Sequence, residues 1–279
     1  EACSAFLKTE GLPPSNIEIL KADKVDVLRN LEDRIRSERE RQIEFPLRCW
    51  ASLGEVRICT PIRNPSKIIC LGRNYRDHAE EQGARIPEAP LLFAKAPTAV
   101  IGPGDAIVIP RGSSKVDFEG EFAVVIARTI RNADEARAEQ AILGYCCLND
   151  VTEREIQFKE KQWFRSKSID TFCPLGPWIV TPDEIDDPLN LEITTRVNSV
   201  TMQSSSTANL IFKPREIISF ITRHITLLPG DIISTGTPGG VGVFRDPQVF
   251  LEPGDVVEVT VEEIGTLTNP VVAEGQEET

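Results

Sequence analysis

The sequence has no apolar run long enough to cross a bilayer, and no apolar segment follows its first four residues. The first absence argues against a transmembrane helix and the second against a secretory signal peptide. Basic residues are in the minority, with 31 Lys and Arg against 43 Asp and Glu and a formal net charge of −12. An acidic chain repels phosphate groups, so nucleic acid is not an expected partner. We predict a soluble protein without a membrane partner, located in the cytoplasm, or in the mitochondrial matrix if a transit segment has been removed.

Paired cysteine motifs are also missing. The chain has seven cysteines, an odd number, and none of them belongs to a Cys-x-x-Cys motif. Several lie in apolar runs, such as Cys70 between Ile69 and Leu71. This pattern favours buried free thiols in a reducing compartment over a disulfide framework. A nucleophilic cysteine is the alternative, although no histidine lies near any of them in the sequence.

Strand patterns dominate the chain, and helical patterns are few. Residues 1–64 read as an N-terminal segment, helical and then briefly β-rich, and residues 65–279 read as the catalytic domain. Short β-branched runs predict strands at 67–71, 106–110, 122–127, 191–197, 231–234 and 256–261. The helix candidates are 74–82, 133–143, 154–162 and 214–225. Pro-Gly-Asp occurs three times, each time before a predicted strand, as expected of a tight turn. The predicted fold class is α+β and β-dominated, built as a sandwich, a barrel or a rolled sheet.

Two acidic segments predict a metal site. In an extended segment the side chains alternate between faces, so Asp117, Glu119 and Glu121 share one face. Neighbouring buried carboxylates need a cation, and oxygen ligands favour Mg²⁺, Mn²⁺ or Ca²⁺. A solvated edge strand explains this segment equally well. Asp150 favours the metal, because it follows the apolar run 141–148, and active-site residues often collect where a strand ends. Its alternative role is to cap the next helix.

Two pairs of polar residues and one lysine are candidates for catalysis or substrate binding. Arg154 and Gln157 are three residues apart, so on a helix they share a face and can grip an acid substrate. His78 and Glu81 have the same spacing, and the carboxylate would orient the imidazole and raise its basicity. A polar surface helix is the more common explanation of that second pair. Lys167 has aromatic neighbours that favour partial burial and a role beside the metal.

A Gly-rich loop, STGTPGGVG, covers residues 234–242. It lacks the lysine of a P-loop and the spacing of a dinucleotide-binding fingerprint. Its backbone N–H groups and threonine hydroxyls suit a small anion such as a carboxylate. A simple turn is the alternative.

Taken together, these segments resemble the fumarylacetoacetate hydrolase family, and in particular its domain-containing proteins. The resemblance runs from about residue 65 to 273 and rests on LGRNYRDHAEE, DFEGEFAVVIA, GYCCLNDVTEREIQ, RSKSIDTFCPLGP and STGTPGGVG. It implies a mixed β-roll or barrel catalytic domain, a homodimer, and a bound Mg²⁺ or Mn²⁺. The implied metal ligands are Glu119, Glu121 and Asp150. The implied catalytic residues are His78, Glu81 and Lys167, and the implied substrate contacts are Arg154, Gln157 and Thr237.

The same resemblance implies that His78 and Glu81 form a base dyad on a mobile lid helix. Asp117 matches no ligand position of the family. Glu153 departs from the family pattern, which often has a small residue there, and would alter the charge of the pocket.

The resemblance and the candidate residues together give a mechanistic hypothesis. The substrate is a small 1,3-dicarbonyl or α-oxo acid, and the reaction passes through a metal-stabilised enolate. Hydrolysis of a C–C bond in an acylpyruvate-like acid, or decarboxylation, is the first expectation. A tautomerase or isomerase acting on oxaloacetate or a related oxo-acid shares the same intermediate. The alternative from another class is a catalytically silent metal-binding scaffold.

Overall fold

The computed structural model describes residues 53–81, 83 and 85–276. The chain divides into two compact units, and all that follows concerns the second unit, Cys59–Thr279. The N-terminal segment predicted for residues 1–64 lies outside the described residues except at its end. The boundary predicted between residues 64 and 65 stays a prediction.

The largest layer is a mixed seven-stranded sheet in the order β2-β1-β12-β6-β7-β9-β3. Its strands are β1 (Ile68–Gly72), β2 (Leu91–Lys95), β3 (Val100–Ile101), β6 (Gly120–Ile126), β7 (Ile142–Asn149), β9 (Cys173–Val180) and β12 (Ile232–Ser234). Two of its pairings, β1 with β12 and β3 with β9, are parallel, and the others are antiparallel.

A second layer has five strands in the order β11-β10-β13-β14-β4. They are β4 (Ile107–Ile109), β10 (Glu192–Val197), β11 (Val200–Ser206), β13 (Val256–Val261) and β14 (Gly265–Ala273). A two-stranded ribbon pairs β5 (Val116–Asp117) with β8 (Thr152–Glu153). The two large sheets share one hydrophobic core, to which β6, β7, β10, β13 and β14 all contribute.

Short helices join these strands. They are α1 (Arg76–Glu81), α2 (Glu135–Glu139), α3 (Arg154–Glu160), α4 (Trp163–Lys167) and α5 (Pro214–Thr222). α5 is amphipathic and buries Ile217, Ile218 and Ile221 in the shared core. No helix among the described residues is long and apolar enough to span a membrane. With fourteen strands and five α-helices in the described part of the chain, the predicted β-dominated α+β class is confirmed.

The three Pro-Gly-Asp segments fold as the same turn. Gly104, Gly230 and Gly254 have φ of 76°, 81° and 100°, in the left-handed region that glycine enters without strain. In each turn the aspartate carboxylate accepts a hydrogen bond from the backbone N–H three residues earlier. β4, β12 and β13 begin one or two residues after the aspartates of these turns. The prediction of a tight turn feeding a strand is therefore confirmed.

All four predicted helices are longer than the observed ones, one of them runs into the next strand, and one segment expected to be extended is divided. The helix predicted at 133–143 ends at Glu139, and β7 begins at Ile142. Residues of β7 pair with β6 on one side and β9 on the other, and this sheet pairing overrides the local helical spacing. The extended segment around Asp117 is split between β5 and β6, with two residues between them.

Candidate active site

Sheet register brings three carboxylates together. The backbone N–H of Asp150 donates to the carbonyl of Glu119 at 2.8 Å, just beyond the pairing of Gly120 with Asn149. Glu121 lies two residues after Glu119 and therefore on the same face of the sheet. Glu119, Glu121 and Asp150 are all buried, and each offers an oxygen within 4.8 Å of those of the other two. The structure thus assembles the three predicted ligands, whereas Asp117 is not in this group.

Two buried lysines balance the cluster. Lys167, at the end of α4, donates to Glu119 at 2.8 Å, to Asp150 at 2.7 Å and to the Thr152 hydroxyl at 2.7 Å. An ammonium has three donors, so all three are used. Lys95, at the end of β2, donates to the other oxygen of Asp150 at 2.6 Å and to the Val151 carbonyl at 3.2 Å. The lysines therefore fix the orientation of Glu119 and Asp150.

These contacts move the pKa values of the cluster in opposite directions. Burial raises the pKa of Glu119, but Lys167 and Arg154 outweigh burial and hold this pKa at about 2. Burial lowers the pKa of Lys167, but Asp150 and Glu119 raise it to about 12. Burial and then the charges of Asp150 and Glu119 raise the pKa of Glu121 well above its ordinary value. Glu121 is therefore the carboxylate in greatest need of an added positive charge.

Arg154 opens α3 and stands beside the cluster. Its guanidinium contacts Glu119 at 2.7 Å, and the same Nη1 donates to Gln157 at 2.9 Å. The predicted shared face of Arg154 and Gln157 is thus present in the structure. Glu153 caps α3 by accepting a hydrogen bond from the Ile156 amide at 2.6 Å. Glu153 does not line the cavity described below, and its effect on the charge of the pocket stays a prediction.

His78 and Glu81 meet on one face of α1. His78 Nδ1 lies 3.1 Å from a Glu81 oxygen, and the imidazole is buried. The other Glu81 oxygen accepts the Gly240 amide at 2.9 Å. The Phe244 ring stands 6.1 Å from the imidazole, centre to centre. If Nδ1–H donates to Glu81, the basic lone pair of His78 is on Nε2.

The Gly-rich loop binds the protein's own carboxylates, which its sequence did not predict. Glu121 accepts hydrogen bonds from the Ser234 hydroxyl and, at 2.8 Å, from the Gly236 amide. Thr237 donates its hydroxyl proton to the Gly120 carbonyl at 3.0 Å and accepts from Gln203 at 2.7 Å. The predicted role in binding an external anion therefore does not explain these loop contacts, because they orient Glu121.

A cavity of about 300 Å³ lies above this arrangement. Six of the predicted site residues line it: His78, Glu119, Arg154, Gln157, Lys167 and Thr237. Glu121 and Asp150 are not in its lining, and both are buried. The cavity therefore joins the predicted base, the predicted substrate contacts and one member of the acid cluster.

Sequence reasoning missed the aromatic wall and one lysine. The wall consists of Phe93, Phe158, Trp163 and Phe244. The Phe93 ring lies 5.1 Å from the Lys167 ammonium and packs edge-on against Trp163. These aromatics come from scattered segments, so no local pattern unites them. Lys95 did have a signal, since it ends the apolar run Leu-Leu-Phe-Ala-Lys, where a buried lysine needs an acid partner.

The residues fit a hard divalent cation. Four buried carboxylates, Asp117 and the three of the cluster, face three buried cations, Lys95, Arg154 and Lys167. With every group ionised, one negative charge is in excess, and burial followed by the charges of Asp150 and Glu119 raises the pKa of Glu121. A divalent ion would reverse the sign and leave the site attractive to an anion. All three candidate ligands are carboxylate oxygens, which suits Mg²⁺ or Mn²⁺.

Comparisons with known proteins show the family of the chain. The family described as fumarylacetoacetate (FAA) hydrolase C-terminal matches residues 67–272. The chain therefore belongs to the fumarylacetoacetate hydrolase family. It is 46% identical over 223 residues to a Xenopus laevis protein named oxaloacetate tautomerase fahd2, mitochondrial, covering 79% of this chain and 70% of that one. An uncharacterized Archaeoglobus fulgidus protein is 54% identical over 220 residues, covering 79% and 84% of the two chains.

Solved structures with the same fold are named as isomerases. The 5-carboxymethyl-2-hydroxymuconate delta-isomerase from Mycobacterium smegmatis is 47% identical, with a TM-score of 0.72 and coverage of 81% and 86%. The 2-hydroxyhepta-2,4-diene-1,7-dioate isomerase from Mycobacterium marinum is 44% identical, with a TM-score of 0.73 and coverage of 84% of each chain. The β-roll architecture expected from the resemblance is thus confirmed, and the chain is similar to enzymes.

Proposed function

We propose that this protein is a divalent-metal-dependent enzyme that moves a proton on a small oxo-acid and so interconverts its keto and enol forms. One observation carries this proposal: His78, which pairs with Glu81, and Glu119, one member of the acid cluster, line the same cavity. Proton transfer requires a base next to a group that stabilises the resulting negative charge. The names of the relatives, a tautomerase and two isomerases, support the same reaction class.

The three carboxylates Glu119, Glu121 and Asp150 would hold Mg²⁺ or Mn²⁺. When bound, such an ion acts as a Lewis acid that polarises a carbonyl oxygen and favours the enol form. The two lysines would keep Glu119 and Asp150 oriented for that ion, and the Gly236 amide would do the same for Glu121. The pKa of Lys167 at about 12 keeps its ammonium protonated at neutral pH, so it stabilises negative charge and does not act as a base.

His78 would act as the base. The Glu81 carboxylate holds Nδ1–H, which orients the ring and stabilises the imidazolium that forms when Nε2 takes a proton. The same nitrogen would return the proton to carbon or oxygen in the reverse direction. The Phe244 ring, whose centre is 6.1 Å from that of the imidazole, would limit water access on that side.

Arg154, Gln157 and Thr237 would orient the substrate. The Arg154 guanidinium supplies positive charge to a substrate carboxylate, and Gln157 supplies an amide donor beside it. Thr237 lines the cavity, and the Gly120 carbonyl already accepts its hydroxyl proton. Thr237 would therefore contact the substrate without donating that proton to it. An anionic oxo-acid thus meets cationic and amide groups on one side and the base on the other.

Cleavage of a longer oxo-acid is the second candidate. The aromatic wall offers apolar surface that a four-carbon diacid does not fill, and a cavity of about 300 Å³ accommodates a longer chain. Acylpyruvate-like C–C hydrolysis or decarboxylation would use the same enol chemistry, with His78 activating water in the hydrolysis.

A panel assay tests these candidates together. Purified protein, stripped of metal and reloaded with Mg²⁺ or Mn²⁺, is offered oxaloacetate, acylpyruvates and ring-cleavage oxo-acids. Enol absorbance, release of two acids and release of CO₂ are followed at the same time. Change in enol absorbance alone supports tautomerisation, whereas two acids or CO₂ support the second candidate. No metal-dependent turnover of any substrate would favour the scaffold alternative.

Two further expectations belong to this proposal. A homodimer follows from the family resemblance and is tested by light scattering of the purified full chain. Residence in the cytoplasm is the first expectation for the compartment. The mitochondrial matrix is the alternative, and the Xenopus laevis relative carries the word mitochondrial in its name. Localisation of the tagged full-length protein distinguishes the two.

A further inference from the structure

Asp117 is a buried acid that the proposed chemistry leaves without a role. Its side chain is completely buried, and it is not part of the carboxylate cluster. One of its oxygens accepts the Phe118 amide at 2.9 Å and the Gly242 amide at 2.8 Å, and the other accepts the Val243 amide at 3.0 Å. A carboxylate with three backbone donors is held rigidly, so it can serve as a fixed anchor.

The turn that holds Asp117 is built around it. A Cβ at Gly242 would lie 2.6 Å from Asp117 Oδ1 and 1.8 Å from the Val249 carbonyl. Both distances are shorter than real carbon–oxygen contacts, so only glycine allows the backbone to approach the carboxylate this closely. The two amides of the turn and the Asp117 carboxylate therefore form one close-packed unit.

The partner of this anchor is the Arg154 guanidinium. Arg154 Nε donates to Asp117 Oδ2 at 2.8 Å, and Nη2 lies 2.7 Å from the same oxygen. Nη2 makes no hydrogen bond within the described part of the chain. Asp117 is therefore the residue that grips the guanidinium on the side away from Gln157 and Glu119.

Without Asp117, Arg154 would have Glu119 as its remaining carboxylate partner among the contacts seen. Glu119 already receives Lys167 and is one of the three proposed metal ligands. A guanidinium drawn toward Glu119 would leave its substrate-facing position and compete with a metal for that oxygen. The ion pair with Asp117 thus determines the position of the Arg154 guanidinium.

We infer that Asp117 is a positioning residue that holds Arg154 in the orientation needed to bind the substrate carboxylate. This inference rests on the proposed function, because it assigns Arg154 to substrate binding. It makes Asp117 important for a reaction in which it touches neither the metal nor the substrate. Its effect should therefore appear mainly in KM and should disappear when Arg154 is absent.

The test is a double-mutant cycle with steady-state kinetics on the oxo-acid that wild-type protein turns over. Asp117→Asn keeps an oxygen for the turn amides and removes the charge that holds Arg154. We expect KM to rise about 10- to 100-fold, the size of one lost charge-assisted contact, with a smaller change in kcat. In an Arg154→Met background, adding Asp117→Asn should change KM by less than about threefold.

Asp231→Asn is the matched control. Asp231 is also fully buried, pairs with Lys67 and accepts the Lys67 and Leu228 amides. Its partner Lys67 does not line the cavity, whereas Arg154, the partner of Asp117, does. Far-UV circular dichroism and melting temperatures are recorded for every variant. If Asp117→Asn alone does not fold, the test compares the KM of Arg154→Met with the KM of the double variant Arg154→Met/Asp117→Asn, in which both charges of the pair are absent.

Equal KM values for Asp117→Asn and Asp231→Asn would overturn the inference. So would a further tenfold loss on adding Asp117→Asn to Arg154→Met, because Asp117 would then act by another route. Failure of the proposed function looks different: wild-type protein would turn over none of the oxo-acids.

Mn²⁺ titration of Asp117→Asn, with bound ion measured by electron paramagnetic resonance, is expected to show weaker binding, because Arg154 then competes for Glu119. Unchanged Mn²⁺ affinity would refute that competition.

Discussion

Exchange of Glu121 for glutamine tests the metal site most directly. The amide keeps the shape of the side chain and an oxygen for the hydrogen bonds from Ser234 and the Gly236 amide. It removes one charge from a cluster in which burial and the charges of Asp150 and Glu119 raise the pKa of Glu121. The metal-free variant should therefore melt at or above the temperature of metal-free wild-type protein.

The stabilisation by metal should be lost in the same variant. A ligand at 100 times its Kd stabilises a protein by about 2.7 kcal/mol, and a ligand at its Kd by about 0.4 kcal/mol. Loss of a contact one shell away from a metal costs about 10- to 100-fold in affinity, so loss of a direct ligand should cost at least about 100-fold. The difference of about 2.3 kcal/mol corresponds to a melting shift of about 5 to 9 °C in a domain of this size.

The assay is thermal melting of protein stripped with EDTA, with Mn²⁺ or Mg²⁺ then added at fixed concentration. Glu153→Gln is the control, because Glu153 is buried and its oxygen caps α3 outside the acid cluster. We expect wild-type and Glu153→Gln proteins to gain several degrees with metal, and Glu121→Gln to gain little. A full metal-induced gain in Glu121→Gln would refute the three-carboxylate site.

Three further predictions concern the same site. His78→Ala should lower kcat about 10²- to 10⁴-fold, the usual contribution of a general base, and keep the melting gain with Mn²⁺; unchanged turnover would exclude the dyad. Because the pKa of Glu121 is raised, its proton competes with metal, so Mn²⁺ affinity measured by calorimetry should fall on acidification. In the metal-free protein, ionisation of the buried Glu121 carboxylate is unfavourable, so the free energy of unfolding should fall as pH rises through this raised pKa. Glu121→Gln should flatten the pH dependence of Mn²⁺ affinity and that of metal-free stability. Lys95→Met leaves Asp150 without one buried cationic partner and should lower the free energy of unfolding by about 3 to 5 kcal/mol, measured by urea unfolding with EDTA. Bound Mn²⁺ should neutralise Asp150 in place of Lys95, so an equally large loss with Mn²⁺ present would contradict the metal site.

The acid cluster was predictable because its geometry follows from the chain itself. Glu119 and Glu121 share a face through strand alternation, and Asp150 ends the next strand in sequence. Antiparallel neighbours joined in sequence place such residues opposite each other. The i, i+3 spacings of His78 with Glu81 and of Arg154 with Gln157 gave helical contacts for the same local reason.

The remainder of the site depends on long-range contacts that no local pattern encodes. Lys95 reaches Asp150 across 55 positions of sequence, and Asp117 reaches the Gly242 amide across 125. The Gly-rich turn predicts an anion site because its exposed amides suit one. In the folded protein the anion is Glu121, a residue 115 positions from the Gly236 amide.

The pairing of β6 with β7 makes the active site depend on strand alignment. Glu119 stands opposite Asp150 because Gly120 is aligned with Asn149. A slip by one residue would turn Glu121 toward the other face and separate the acids, whatever side chains remained. An insertion between the exposed residues Glu139 and Gln140, at the far end of this hairpin, should be tolerated by the chemistry. A single residue inserted between Glu119 and Glu121 should abolish it.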